Sequence, residues 1–204
     1  MKKQLLLVIL FITVVLNLSA QKWRDEVSSN YFYVRVANAP MMYWDLPGEP
    51  PASLKPGTQF QISNERRNRQ EQSFIFPAIT GTEFFAIVNR ANLAVGIEGK
   101  SKLTKKEQEA KKKSKKDNGA AIIIETLVTP VPEWQQWKIL VIGRHNIMFE
   151  NLHARKLITV ESGMVSSYGA KLFSQYKNNF RAQIYQLEYA EGKNKGQLLD
   201  FGEE

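Results

Sequence analysis

Three segments of this chain carry one short pattern: Gln72-Ser-Phe-Ile-Phe76, Gln135-Gln-Trp-Lys-Ile139 and Gln183-Ile-Tyr-Gln-Leu187. Each reads Gln, any residue, aromatic, any residue, large apolar. In a β-strand alternate residues share a face, so the amide, the ring and the apolar side chain all point to one side. A unit repeated in this way cannot bury its apolar face alone and is expected to pack with its copies around a common core.

The residues upstream extend the repeat. Before the first motif stand Phe32-Tyr-Val-Arg-Val-Ala-Asn38, Trp44-Asp-Leu46 and Gly57-Thr-Gln-Phe-Gln-Ile62. The second follows Phe84-Phe-Ala-Ile-Val-Asn89, Leu93-Ala-Val95 and Gly119-Ala-Ala-Ile-Ile-Ile124. The third follows Ile147-Met-Phe-Glu-Asn151, Leu157-Ile-Thr-Val160 and Gly169-Ala-Lys-Leu-Phe173. The common order is a strand ending in Asn, a short strand, a Gly that opens a third strand, and the Gln-x-aromatic strand. Asn suits the first turn because its side chain bonds nearby backbone. Valine, isoleucine and aromatic residues dominate these runs, and no long amphipathic helix competes with them.

Three units of four short strands, one marked by Gln-x-aromatic, resemble the ricin B-chain-like (Gln-x-Trp repeat) lectin family. The resemblance covers roughly residues 31–190 and implies an all-β fold, a β-trefoil of three four-stranded repeats. Phe74 and Tyr185 stand where the family has tryptophan, and Trp137 keeps it. These three rings are expected to fill the core. Gln72, Gln135 and Gln183 are expected to bond backbone, because a half-buried amide left unpaired costs about 1–3 kcal/mol.

The flanks and charge set the context. Lys2 and Lys3, an apolar run from Leu5 to Leu16 and Ala20 before Gln21 predict a secretory signal peptide over 1–20. A span needs about 20 apolar residues, so no membrane span is expected in the mature chain. There is no cysteine, which excludes disulfides and fits bacterial export, secreted or periplasmic. Residues 21–30 read as an N-terminal arm in which Trp23 packs back on the domain, and 191–204 as a flexible tail.

The net charge of +8 is concentrated rather than spread. Nine lysines lie between Lys100 and Asp117 against Glu107, Glu109 and Asp117. This Lys-rich insertion, 100–118, falls inside the second repeat and is predicted to be a short solvated helix or disordered. Thr104-Lys-Lys-Glu107 forms a capping box, but no apolar stripe accompanies it. The insertion is either a solvated loop or an anion-attracting segment, with Lys111, Lys112, Lys113, Lys115 and Lys116 as the anion-binding candidates. Nucleic acid is not expected, since no aromatic residues interleave the lysines to stack on bases.

Enzyme chemistry finds no motif. His145 and His153 form no metal-spaced pair, and neither a nucleophile elbow nor a phosphate-cradling glycine loop appears. No catalytic residue, metal or cofactor is therefore assigned. The family resemblance implies a carbohydrate site in each unit: an Asp on the second strand, an aromatic platform after the third, and a polar residue before the motif glutamine. Asp45 matches in the first unit, with Glu71 beside Gln72, while Ser63 stands at the aromatic position. Ala94 and Glu125 occupy these places in the second unit, and Thr159 and Gln175 in the third, with Tyr176 next to it as the substitute aromatic.

Tyr43 and Trp44 are a replacement platform or, equally, core or interface residues. The expectation is a secreted lectin-like module that binds a glycan or polysaccharide through Asp45, Trp44, Tyr43, Glu71 and Gln72. The alternative is a β-trefoil scaffold that binds a protein or an anionic envelope component without a sugar site.

Overall fold

A computed structural model describes residues 22–48, 50–64, 71–98, 119–161, 165–177 and 181–202. The predicted signal peptide, the Lys-rich insertion with its five candidate lysines, and the arginines at 66, 67 and 69 lie outside the described residues.

The strands follow the repeat. The first unit holds β1 (Phe32–Val36), β2 (Ala39–Asp45), β3 (Gln61–Ser63) and β4 (Ser73–Ile75). The second holds β5 (Val88–Asn89), β6 (Leu93–Ile97), β7 (Ile122–Thr126) and β8 (Trp137–Gly143). The third holds β9 (Asn146–Asn151), β10 (Leu157–Val160), β11 (Leu172–Gln175) and β12 (Tyr185–Tyr189).

The first and last strands of the units close a six-stranded barrel. Antiparallel pairing runs β12–β1–β4–β5, and β8–β9–β12 completes the other side. The gap is bridged by Phe85 and Trp137, which exchange backbone bonds of 2.8 Å in both directions. Closure leaves no free barrel edge to pair with another chain.

The middle strands form three hairpins, β2–β3, β6–β7 and β10–β11. They meet one another through the bridges Gln59↔Ile123, Ala121↔Phe173 and Gln61↔Lys171. Equivalent positions are joined around the axis: Phe60 N–H donates to the Ile122 carbonyl and Leu172 N–H to that of Phe60, both at 2.9 Å. Six barrel strands capped by three hairpins make a β-trefoil, as the repeat predicts.

Gly119 shows how tightly the cap closes. A Cβ there would lie 1.3 Å from the Ser174 carbonyl oxygen, so only glycine lets the two backbones meet.

Phe74, Trp137 and Tyr185 are fully buried in one core. Trp44 sits among them, its ring 5.9 Å from Phe74, 5.3 Å from Tyr185 and 5.2 Å from Phe149. The Trp137 indole donates to the Val95 carbonyl at 2.9 Å, and the Tyr185 hydroxyl to that of Ile158 at 3.3 Å. Burial pushes the Tyr185 hydroxyl well above the usual tyrosine pKa.

Of the two flanking expectations, the packing of Trp23 on the domain is met, while the form of the arm and the flexible tail need correction. Residues 22–29, expected as an arm, form a helix, α1. Trp23 and Val27 are spaced i,i+4 and share a face. Val27 is fully buried, and the Trp23 ring packs 5.9 Å from Phe85 and 5.5 Å from Phe201. Burial of that face against the barrel holds the helix.

The tail, expected to be flexible, is bound to the domain. Leu199 N–H donates to the Leu187 carbonyl and Phe201 N–H to that of Arg144, both at 2.8 Å, and both side chains are buried. Between helix and tail lies a cleft of about 450 Å³ whose lining includes Trp23, Glu26, Tyr189 and Phe201.

Candidate functional site

The hairpin ladders fix which residues of the three units are equivalent. Trp44 pairs with Ile62, Val95 with Ile124 and Ile158 with Ser174. Each third-strand partner lies five residues after its hairpin glycine, Gly57, Gly119 or Gly169. The next residues along the second strands are Asp45, Gly96 and Thr159, and these share one slot. Ala94, which a local reading of the sequence puts opposite Asp45, instead corresponds to Tyr43 and Leu157. That assignment is corrected by the register.

In all three units the motif glutamine reaches toward this slot. Gln72 donates its amide to Asp45 Oδ1 at 3.0 Å, and Gln183 donates to Thr159 Oγ1 at 2.9 Å. In the second unit the slot residue has no side chain, and Gln135 donates to Glu125 Oε2 at 3.2 Å. Glu125 comes from the neighbouring strand, and a Cβ on Gly96 would lie 2.5 Å from that same oxygen. The carboxylate of the second unit thus fills the slot across the ladder. Gln135 also donates to the Thr126 carbonyl at 2.9 Å, and Gln183 to that of Tyr176 at 2.9 Å. The expected backbone bonds are present there, joined by a side-chain acceptor.

The proposed sugar-contacting residues of the first unit divide sharply. Asp45 is half-buried at the end of β2, held by Gln72. Trp44 has no exposed surface and lies among core rings, so it cannot serve as a platform. Tyr43 is also buried, packing edge-on to Tyr33 at 6.0 Å and donating its hydroxyl to Glu188 at 3.1 Å. Arg35 approaches the same Glu188 oxygen at 3.8 Å. Burial of Tyr43 and Trp44 likewise removes them as an interface. Glu71 and Gln72 are buried too, so neither presents an open side chain to a ligand. Of the five candidates only Asp45 is more than marginally exposed.

The third unit presents what the first lacks. Tyr176, just past β11, is 67% exposed, and its backbone carbonyl is the one bonded by Gln183. The Lys156 ammonium sits 4.6 Å from the centre of its ring. This exposed ring is the substitute aromatic expected one place beyond the family position.

His145 Nδ1 lies 2.9 Å from the Leu199 carbonyl, and His153 lies 3.7 Å from Glu133. Among the described residues no cluster of three His, Cys, Asp or Glu could hold a metal, and no helix is long and apolar enough to cross a membrane.

No protein-family model matches the chain, and no curated sequence does. Solved structures do match. A designed threefold-symmetric protein, ThreeFoil, is 18% identical with a TM-score of 0.60, covering 77% of this chain and 96% of its own. The Macrolepiota procera ricin B-like lectin, solved in complex with lactose, is 12% identical with a TM-score of 0.57, covering 79% of this chain and 96% of its own. An exo-beta-1,3-galactanase from Clostridium thermocellum is 18% identical with a TM-score of 0.60 over 79% of this chain, which spans 30% of the galactanase. At these identities the likeness establishes the β-trefoil fold.

Proposed function

We propose that this protein is an exported carbohydrate-binding module, and that Asp45 contributes the hydroxyl-binding carboxylate of its first unit. The observation that carries the reading is the Gln72–Asp45 pair. A half-buried carboxylate, fixed by a buried amide at 3.0 Å, sits at the end of a trefoil hairpin. Such a carboxylate accepts hydrogen bonds from vicinal sugar hydroxyls, and pre-positioning reduces the ordering cost of binding. The lactose-bound ricin B-like lectin among the structural neighbours supports the same reading. The signal peptide over 1–20 and a bacterial secreted or periplasmic location belong to this proposal and rest on sequence.

A glycan array followed by calorimetry tests it. Wild type should bind at least one neutral glycan, and Asp45→Asn should lose about tenfold or more in affinity. Asparagine keeps an oxygen for Gln72, so folding should be unaffected. Unchanged binding by Asp45→Asn would remove Asp45 from the site, and an empty array would remove the glycan reading.

The second reading, an anionic envelope partner, rests on the nine lysines between Lys100 and Asp117. Its signature is binding that collapses with salt, since exposed charges are screened within about 8–10 Å at physiological ionic strength. Neutralising Lys111, Lys112, Lys113, Lys115 and Lys116 should then flatten the salt dependence.

A further inference from the structure

The three units place different charges at the same slot. The first fills it with the Asp45 carboxylate and the second with that of Glu125, while the third uses the neutral hydroxyl of Thr159. The third is also where an exposed aromatic ring stands, with an ammonium against it. We infer that the third unit carries a site for acidic saccharides, sugars bearing a carboxylate such as uronates, with Tyr176 as platform and Lys156 as counter-charge. This rests on the glycan reading and names the ligand class of one unit.

The chemistry follows from those positions. A slot carboxylate would repel a uronate, and a hydroxyl does not. Thr159 is fixed by Gln183, which also bonds the Tyr176 carbonyl, so one amide ties slot and platform together. Lys156 and Tyr176 flank the last ladder pair, Leu157↔Gln175, and the ammonium lies 4.6 Å from the ring centre. The cation–π contact holds the ammonium over the ring, and an exposed contact of this kind is weak enough to yield to a carboxylate.

Charge nearby reinforces the point. Arg155, Lys177 and Arg181 are exposed on the segments that carry Lys156, Tyr176 and Gln183. Opposing them, Glu150 pairs with Leu157 on the adjacent strand and Glu161 follows β10. The cations outnumber these acids. One face of an aromatic ring packs on the apolar face of a sugar, while the ammonium recognises its carboxylate.

Calorimetry with a galacturonate trisaccharide and the matched neutral galactose trisaccharide tests this. Wild type should bind the acidic trimer about fivefold more tightly, the scale of an exposed charge pair. Lys156→Gln should abolish that preference, and Tyr176→Ala should weaken the acidic trimer. A variant with Lys111, Lys112, Lys113, Lys115 and Lys116 changed to Gln should keep the preference.

Equal affinities for the two trimers, or a preference that survives Lys156→Gln, would overturn the inference and leave neutral-glycan binding at Asp45 standing. A preference lost only with the five insertion lysines would assign it elsewhere and overturn it too. No saccharide binding of any kind would overturn this inference together with the glycan reading.

Discussion

The inner and outer faces of the repeat obey different rules. Inside, Phe74, Trp137 and Tyr185 occupy equivalent positions and all three are fully buried rings. At the hairpins, the equivalent slot holds Asp45, then Gly96 overlain by Glu125, then Thr159, and of these only Asp45 is partly exposed. Close packing explains the first, because a core tolerates little change in volume. The rim requires only an acceptor for the motif glutamine, and several side chains supply one. Threefold likeness is therefore a property of the scaffold, and the polar pairing at the slot is set unit by unit.

The largest effect should come from the core. Trp137→Ala should destabilise by about 3–5 kcal/mol in urea unfolding, since it removes a large buried ring and its bond to the Val95 carbonyl. A loss below about 1 kcal/mol would mean that the inner face is not the packed element described here. Gly119→Ala comes next at about 2–3 kcal/mol, because the new methyl meets backbone that must shift. A neutral result at Gly119 would loosen the cap hairpins from the comparison.

The rim can be sharpened by a cycle. Gly96→Asp places a second carboxylate beside Glu125 in a filled slot and should cost about 1–2 kcal/mol. Adding Glu125→Ala should recover most of it by recreating the first unit's arrangement. A double variant no more stable than Gly96→Asp alone would show that the slots are not interchangeable.

The smallest effect concerns the tail. Arg144 donates to Asp200 at 2.8 Å, and Gly202 N–H to the same carboxylate at 2.9 Å, so the Asp200 pKa is held below the usual 3.8. A depressed carboxylate pKa stabilises the fold above the ordinary value, and the gain is lost as pH falls through the lower folded value. Both side chains are well exposed, so Asp200→Asn should cost only about 0.5 kcal/mol at pH 7. The difference from wild type should vanish below the usual carboxylate range. A difference that persists at pH 2 would trace to packing.

Much of the inner face was legible because strand alternation is written locally. Gln, ring and apolar residue recur at period two, which suffices to place Phe74, Trp137 and Tyr185. The rim was less legible, since its geometry depends on cross-strand register. Nothing local shows that Glu125 reaches over Gly96, or that Ala94 belongs with Tyr43. Tyr43 and Trp44 were ambiguous for a related reason: adjacent strand residues point to opposite faces, and both faces of β2 are covered. The tail was obscured by composition, because its Gly, Lys and Glu content hid Leu199 and Phe201. Helix α1 had a signal in the spacing of Trp23 and Val27, but one apolar pair in eight residues is thin.

The contact between Trp23 and Phe201, with ring centres 5.5 Å apart, has a use in engineering. Both ends of the described chain converge on one spot at the side of the barrel. A short linker from Gly202 to Lys22 could therefore join them, and new termini could be cut within the lysine segment between Lys100 and Asp117. Such a circular permutant would retain every barrel pairing and all three cap hairpins, with its basic residues divided between the two new ends.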